Sequence, residues 1–186
     1  MKTIIVYQSN TGHTREYAEM LAKKLNCQAI PLNKVSTATL REYEQLVFGG
    51  WVRASVIVGL NKFIKKIPNG MSQMLVIFAV GADGSSKETK RKLIDKNNEI
   101  SLFNCPFFYL QGGFDPEKLK FPIRFMLEGV AKSLKKKQTI DPESLTQDDK
   151  EFLAFFQNEH NDVDDQNLAE ILACLQDMKT NDIYIR

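Results

Sequence analysis

Cysteine is sparse and unpaired in this chain: Cys27, Cys105 and Cys174 are far apart, odd in number and without a CxxC pair. That argues against a disulfide framework or thiol redox chemistry and fits a reduced interior. Histidine is scarcer still. His13 and His160 have no neighbouring ligands at metal spacing, so no metal centre is expected, and no Ser/His/Asp arrangement can be assembled. Long hydrophobic runs are missing as well. Nothing approaches the roughly 20 apolar residues that span a bilayer as a helix, and the apolar start soon meets Gln8-Ser9-Asn10 rather than a cleavable small-residue site. The expected location is cytoplasmic, at most peripheral at the inner membrane face. Repeats and low-complexity tracts are absent too.

What is present is ordinary globular material: 186 residues, 43% apolar and 26% charged, enough for one domain over residues 1–186 with a full core. The net charge of +2 conceals an asymmetry. Between Lys118 and Lys137 seven bases (Lys118, Lys120, Arg124, Lys132, Lys135, Lys136 and Lys137) face the single acid Glu128, whereas acids dominate from Asp141 onward. An acidic partner or an anionic lipid surface suits the basic stretch, whose apolar stripe is flanked by Phe121 and Phe125. A solvated outer face of a sheet-covering helix, which also needs an apolar stripe, accounts for it more simply. No nucleic-acid partner is expected.

Apolar runs alternate with amphipathic ones. Strands are predicted at Thr3–Tyr7, Gln28–Leu32, Gln45–Gly49, Gln73–Val80 and Pro106–Gln111, and helices at His13–Leu25, Val58–Lys66 and Ser86–Asn97. Continuous runs such as IIVY and LVIFAV are what strands look like when helices cover both faces of a parallel sheet, which predicts a doubly wound α/β fold. Beyond Gly113 the pattern predicts a long amphipathic helix from Leu119 to Leu134, complicated at its start by Pro122. A polar connection follows at Gln138–Asp149, then helices at Lys150–Phe156 and Asp164–Met178.

In such a sheet ligands sit beyond the carboxyl ends of the strands. The stretch YQSNTGHTREYAEML, residues 7–21, lies there. Ser9, Thr11 and Thr14 offer hydroxyls, Gly12 permits close backbone approach, and the amides opening the next helix point at whatever docks. A phosphate fits this chemistry; so does an ordinary turn with a helix N-cap. There is no GxxxxGK[ST] and no GxGxxG after the first strand, and the third strand ends Phe48-Gly49 where a receiver domain needs an Asp.

The spacing of Ile5-Val6-Tyr7, Ser9, Gly12, Thr14, Ala18 and Leu21 resembles, position for position, the flavodoxin pattern, whose loop holds the phosphate of flavin mononucleotide (FMN). The likeness continues through FGGWVRAS and FAVGADGSS to about residue 112. QGGFDPEKLKFPIRFM more weakly resembles the single-domain branch that includes the menaquinone-linked protoporphyrinogen oxidases. The resemblance implies a five-stranded parallel sheet of order 2-1-3-4-5 with helices on both faces, a core over about 1–137 and extra C-terminal helices over about 138–186. It also implies FMN as cofactor, with Ser9, Asn10, Thr11, Gly12, His13 and Thr14 at the phosphate, and Gly49, Gly50, Trp51, Val52, Arg53, Gly81, Ala82, Asp83 and Gly84 in two ring loops.

Read without the family, the ring loops keep alternatives. Trp51 offers a flat face for stacking, or is core; Gly49 and Gly50 could tolerate a peptide rearrangement. Arg53 could stabilise negative charge, or is a solvated base. Asp83 could accept a ring or ribityl hydrogen bond, or belong to a turn in which Ser85 or Ser86 caps a helix. Gly112-Gly113-Phe114 could line the ring edge, or simply turn. The function expected is an FMN-binding redox protein, acting on a redox partner protein or a small-molecule or quinone acceptor. The alternatives are a protoporphyrinogen oxidase-type, quinone-linked flavoenzyme, as the weaker resemblance implies, or a flavin-free flavodoxin-like interaction module.

Overall fold

Period-two alternation sends successive strand residues to opposite faces of one sheet. Ile4 and Val6 enter one core cluster with Leu46, Phe48, Leu75, Ile77 and Ala79. Ile5 enters the other with Val47, Val76, Phe78 and Val80. Two apolar faces demand two helical layers, and the computed structural model has them. It describes all residues except 69–73, 83–85, 115–120, 122, 158–159 and 181–186.

The parallel strands are β1 (Thr3–Gln8), β2 (Gln28–Pro31), β3 (Gln45–Arg53), β5 (Met74–Gly81) and β6 (Phe107–Gln111), in the order β2-β1-β3-β5-β6. This is the expected doubly wound order. β4 (Val56–Ile57) pairs antiparallel with the end of β3. One face is covered by α1 (His13–Leu25), through Tyr17, Ala18 and Leu21, and by the last helix. The other face is covered by α3 (Leu60–Ile64), α4 (Lys87–Lys96) and α5 (Asn98–Leu102), with the short α2 (Thr37–Leu40) and a 3-10 turn at Leu32–Lys34. There Phe63 of α3 stacks on Phe48 of β3 at 4.8 Å between centroids.

By its contacts the chain divides into two compact units, Met1–Gly112 with Val163–Arg186, and Gly113–Asp162. The closing helix, expected at Asp164–Met178, is a 3-10 turn at Asp165–Leu168 followed by α8 (Ala169–Thr180). Leu168, Ile171 and Leu175 are fully buried with Ile5, Leu21 and Phe78. Thr3 Oγ1 and the fully buried Gln45 Oε1 lie 2.7 Å apart, and Gln45 Nε2 reaches the Leu175 carbonyl at 3.5 Å.

The second unit holds β7 (Gly113–Phe114) paired antiparallel with β8 (His160–Asn161), and the helices α6 (Ile123–Ile140) and α7 (Gln147–Gln157). α6 runs through Gln138, Thr139 and Ile140, where a polar connection was expected. Nothing breaks the helix before Asp141-Pro142, and Thr139 back-bonds to the Lys135 carbonyl at 3.0 Å. α7 starts earlier than expected because Thr146 and Asp149 cap it reciprocally, each side chain accepting the other's amide at 3.1 Å.

Candidate functional site

The carboxyl ends of β1, β3, β5 and β6 share one edge of the sheet. Gln8 is in register with Gly50, Trp51 with Val80, and Gly81 with Gln111. Loop 9–12 leaves the sheet at this edge and turns directly into α1. Gly12 takes φ +113°, a conformation L side chains avoid, while its Cβ direction is open space; the glycine is required by backbone, not by crowding. Its N–H donates to Ser9 Oγ at 3.2 Å, folding the loop back on itself. No side chain caps α1, whose ladder opens with Glu16 N–H to Gly12 O at 3.0 Å. The helix thus turns its opening amides and the positive end of its dipole toward the cleft.

Thr14 sharpens this picture. It is 2% exposed, and its hydroxyl has no hydrogen-bond partner among the described residues. A buried polar group left unmet costs about 1–3 kcal/mol, a cost that an acceptor on a ligand would remove. Thr11 Oγ1 lies 3.0 Å from Nδ1 of the buried His13, which fixes the loop's side against the helix.

A cavity of about 450 Å³ opens beside this junction, lined by residues 7–12, Arg15, Pro31 and Asn33. Of the expected phosphate loop, Ser9, Asn10, Thr11 and Gly12 line this cavity, whereas His13 and Thr14 are buried behind it and are not part of its lining. Tyr7, Gln8, Arg15, Pro31 and Asn33 were not anticipated. Arg15 carried a signal: a base in the first turn of a helix opposes the dipole unless an anion sits there. It also lies 3.6 Å from Glu19. Asn33 carried none, since it reaches the cavity through the pairing of β1 with β2. Burial, then the Glu19 charge, raises the Tyr7 phenol pKa above 10.0, with Arg15 opposing. Tyr7 is therefore a neutral hydroxyl at this wall.

The second expected loop is not a loop. Gly49, Gly50, Trp51, Val52 and Arg53 continue β3, and the chain reverses at Ala54-Ser55 into β4. Gly49 pairs with Tyr7 on one side and Phe78 on the other, and Gly50 with Gln8 and Ala79, so sheet bonds hold both peptides. Their glycines answer crowding: a Cβ on Gly49 would lie 2.1 Å from the Phe78 ring, and one on Gly50 2.5 Å from Ile57. Trp51 is half-buried and Arg53 exposed. Neither lines the cavity.

Gly81 ends β5 against Tyr109, and Ala82 follows half-buried. Asp83 and Gly84, with Ser85, lie outside the described residues. Ser86 caps α4 by accepting the Thr89 amide at 3.0 Å. Gly112 donates to the Gly81 carbonyl at 2.7 Å, and a Cβ there would meet Val80 at 2.6 Å and His13 at 3.5 Å. It closes behind the first turn of α1. Residues 115–120 and 122 of the stretch QGGFDPEKLKFPIRFM lie outside the described residues.

A family model described as the flavodoxin domain matches residues 4–141. The chain belongs to the flavodoxin domain family. Solved structures similar to this flavodoxin domain include a flavodoxin from the domain Archaea, 20% identical over 60% of this chain and 83% of that one, with a TM-score of 0.43. The Trp repressor binding protein from Bacillus subtilis is 21% identical over 60% and 83%, TM-score 0.43. The two-electron reduced flavodoxin of Megasphaera elsdenii is 15% identical over 57% and 82%, TM-score 0.41. No curated protein matches the chain.

Proposed function

We propose that this flavodoxin domain binds FMN non-covalently, with the phosphate at Ser9–Thr14, and works as a redox protein. The observation that carries the reading is the buried Thr14 hydroxyl, without a hydrogen-bond partner among the described residues, beside a helix start with no side-chain cap at the carboxyl end of β1. The residues fit the group. Gly12 leaves open space where a side chain would stand, Ser9 to Thr11 line the cavity with polar atoms, and Arg15 brings a positive charge.

Bound there, flavin would supply reversible electron transfer. The chain's part is to bind, orient and tune. The amides opening α1 and the hydroxyls hold the anionic end, Arg15 and the helix dipole offset its charge, and Tyr7 contributes a neutral hydroxyl. Trp51, half-buried one residue beyond the Gln8–Gly50 pair although outside the cavity lining, would offer its indole face to a planar ring. A redox partner protein or a small quinone-type acceptor would take the electrons. The sequence likeness of QGGFDPEKLKFPIRFM to quinone-linked protoporphyrinogen oxidases supports the quinone, and anaerobic titration with reductant, nicotinamide nucleotides and a quinol in turn discriminates among donors and acceptors.

Fluorescence titration of the apoprotein with FMN tests the reading. Thr14→Val keeps the shape and removes the hydroxyl. A hydrogen bond to a charged acceptor is worth about 1.5–3 kcal/mol, so affinity should fall roughly 10- to 150-fold. The apoprotein, relieved of an unmet buried hydroxyl, should be at least as stable as before. Unchanged affinity in Thr14→Val, or no FMN binding by the parent protein, overturns the assignment.

A further inference from the structure

The packing stripe of α6 is Leu127, Ala131 and Leu134, partly or fully buried at i, i+4 and i+7. The helix nevertheless carries a second set of large apolar side chains that stay exposed among the described residues. Phe125 is 70% exposed, Met126 60% and Val130 43%, and Phe121, just ahead of the helix, is 80% exposed. The Phe121 and Phe125 rings lie 6.1 Å apart, forming one aromatic wedge. Phe125, Gly129, Lys132 and Lys136 fall at i, i+4, i+7 and i+11, on the face opposite the packing stripe. Along that face the chemistry changes from aromatic to basic. Lys132, Lys135 and Lys136 are exposed and form no ion pair among the described residues, whereas Arg124 is held by Glu128 at 2.8 Å and Lys137 lies 3.8 Å from Asp149. Gly129 adds no bulk between the two halves, its Cβ direction being open.

We propose that the outer face of α6 seats the protein on an anionic membrane surface. The phenylalanines enter the headgroup and acyl boundary, and the free lysines meet anionic headgroups. Both halves are needed because neither suffices: a few exposed rings give weak partitioning, and unpaired lysines alone are screened within about 10 Å at ordinary salt. The attachment is peripheral, since no helix among the described residues is long and apolar enough to cross a membrane. It is independent of flavin, so it stands or falls separately from the reading of the cleft.

Sedimentation of the full chain with phosphatidylglycerol-rich vesicles, against pure phosphatidylcholine vesicles and at low and high salt, tests it. The expected result is binding to the anionic vesicles at low salt that weakens as salt rises, with little binding to the neutral ones. Replacing Lys132, Lys135 and Lys136 together with Gln should lower the partition coefficient at least about tenfold. Phe121→Ser with Phe125→Ser should lower it while leaving its salt dependence in place. These side chains are exposed, so circular dichroism should be unchanged in both variants. No binding to anionic vesicles at low salt, equal binding to both vesicle types, or wild-type partition in either variant overturns the proposal; so does binding to an acidic protein partner without any to vesicles.

Discussion

Gly49 marks the place where one methyl group has the least room. It sits in the middle strand of the sheet, bonded to β1 and β5, with the Phe78 ring across its Cβ direction. Phe78 is fully buried among Tyr17, Leu21 and Ile171, so it cannot swing away without disturbing α1 and α8. Gly49→Ala should destabilise the fold by about 1–3 kcal/mol or more through overpacking, read as a lower urea midpoint at unchanged m-value. Cys105 gives a residue-scale prediction in pH. Burial raises its thiol from 9.0 to about 11, so the native state resists losing a proton that the unfolded chain releases. The stabilisation is full below pH 9 and is lost as pH rises from 9 through about 11. At about 1.4 kcal/mol per pH unit the loss is roughly 3 kcal/mol. Cys105→Ala should flatten this alkaline decline in denaturant titrations across that window, and an identical slope in the variant would assign it to other groups.

Among the elements, the β3–β4 hairpin is the one held against its local preference. Ala54 and Ser55 stand at φ +48° and +61°, the two central positions of a tight reverse turn that favours Asn-Gly. What holds them is Asn97, 3% exposed at the end of α4: its Nδ2 donates to the Ser55 carbonyl at 2.9 Å and to the Leu93 carbonyl at 2.6 Å, while its Oδ1 accepts the Ile57 amide at 2.9 Å. Ala54→Asn with Ser55→Gly should therefore raise stability by about 1 kcal/mol, a Tm gain of a few degrees. Asn97→Ala should lower it by about 1–3 kcal/mol, and less in the Asn-Gly background, where the turn needs less support. The same hairpin explains where sequence reading stopped short. Apolar runs announced the five parallel strands, but Gly49-Gly50 reads as a loop, and a turn of Ala and Ser carries none of the glycine or asparagine that marks a reversal. The hydroxyl spacing of Ser9, Thr11 and Thr14 made the cleft's loop visible; Asn33, which joins it only through strand pairing, carries no local signal.

For the whole molecule the question is which part of the chain completes the sheet. Tyr17, fully buried on α1, donates to the Gln111 carbonyl at 2.5 Å and accepts from Asn167 Nδ2 at 2.7 Å and the Asp164 amide at 3.4 Å. One hydroxyl thus ties the last residue of β6 to the segment that leads into α8, although 113–162 lie between them in sequence. Lys24 and Asp165, 2.8 Å apart, support the same junction at the surface. The two ends of 113–162 are also neighbours, because Gly113 pairs with Asn161. Joining Gly112 to Val163 through a short Gly/Ser linker should accordingly leave a folded protein that binds FMN as tightly as the full chain and has lost its binding to anionic vesicles. Ending the chain at Asp162 should do the opposite. It removes Leu168, Ile171, Leu175 and Met178 from the core they share with Ile5 and Leu21. At about 1.5–3 kcal/mol each, that forfeits roughly 6–12 kcal/mol, comparable to the whole stability of a typical domain, about 5–15 kcal/mol. Circular dichroism melts and FMN titrations of the two shortened chains decide the matter: a cooperative melt from the chain ending at Asp162, or none from the linked chain, would mean that α8 is dispensable or that 113–162 hold the sheet together.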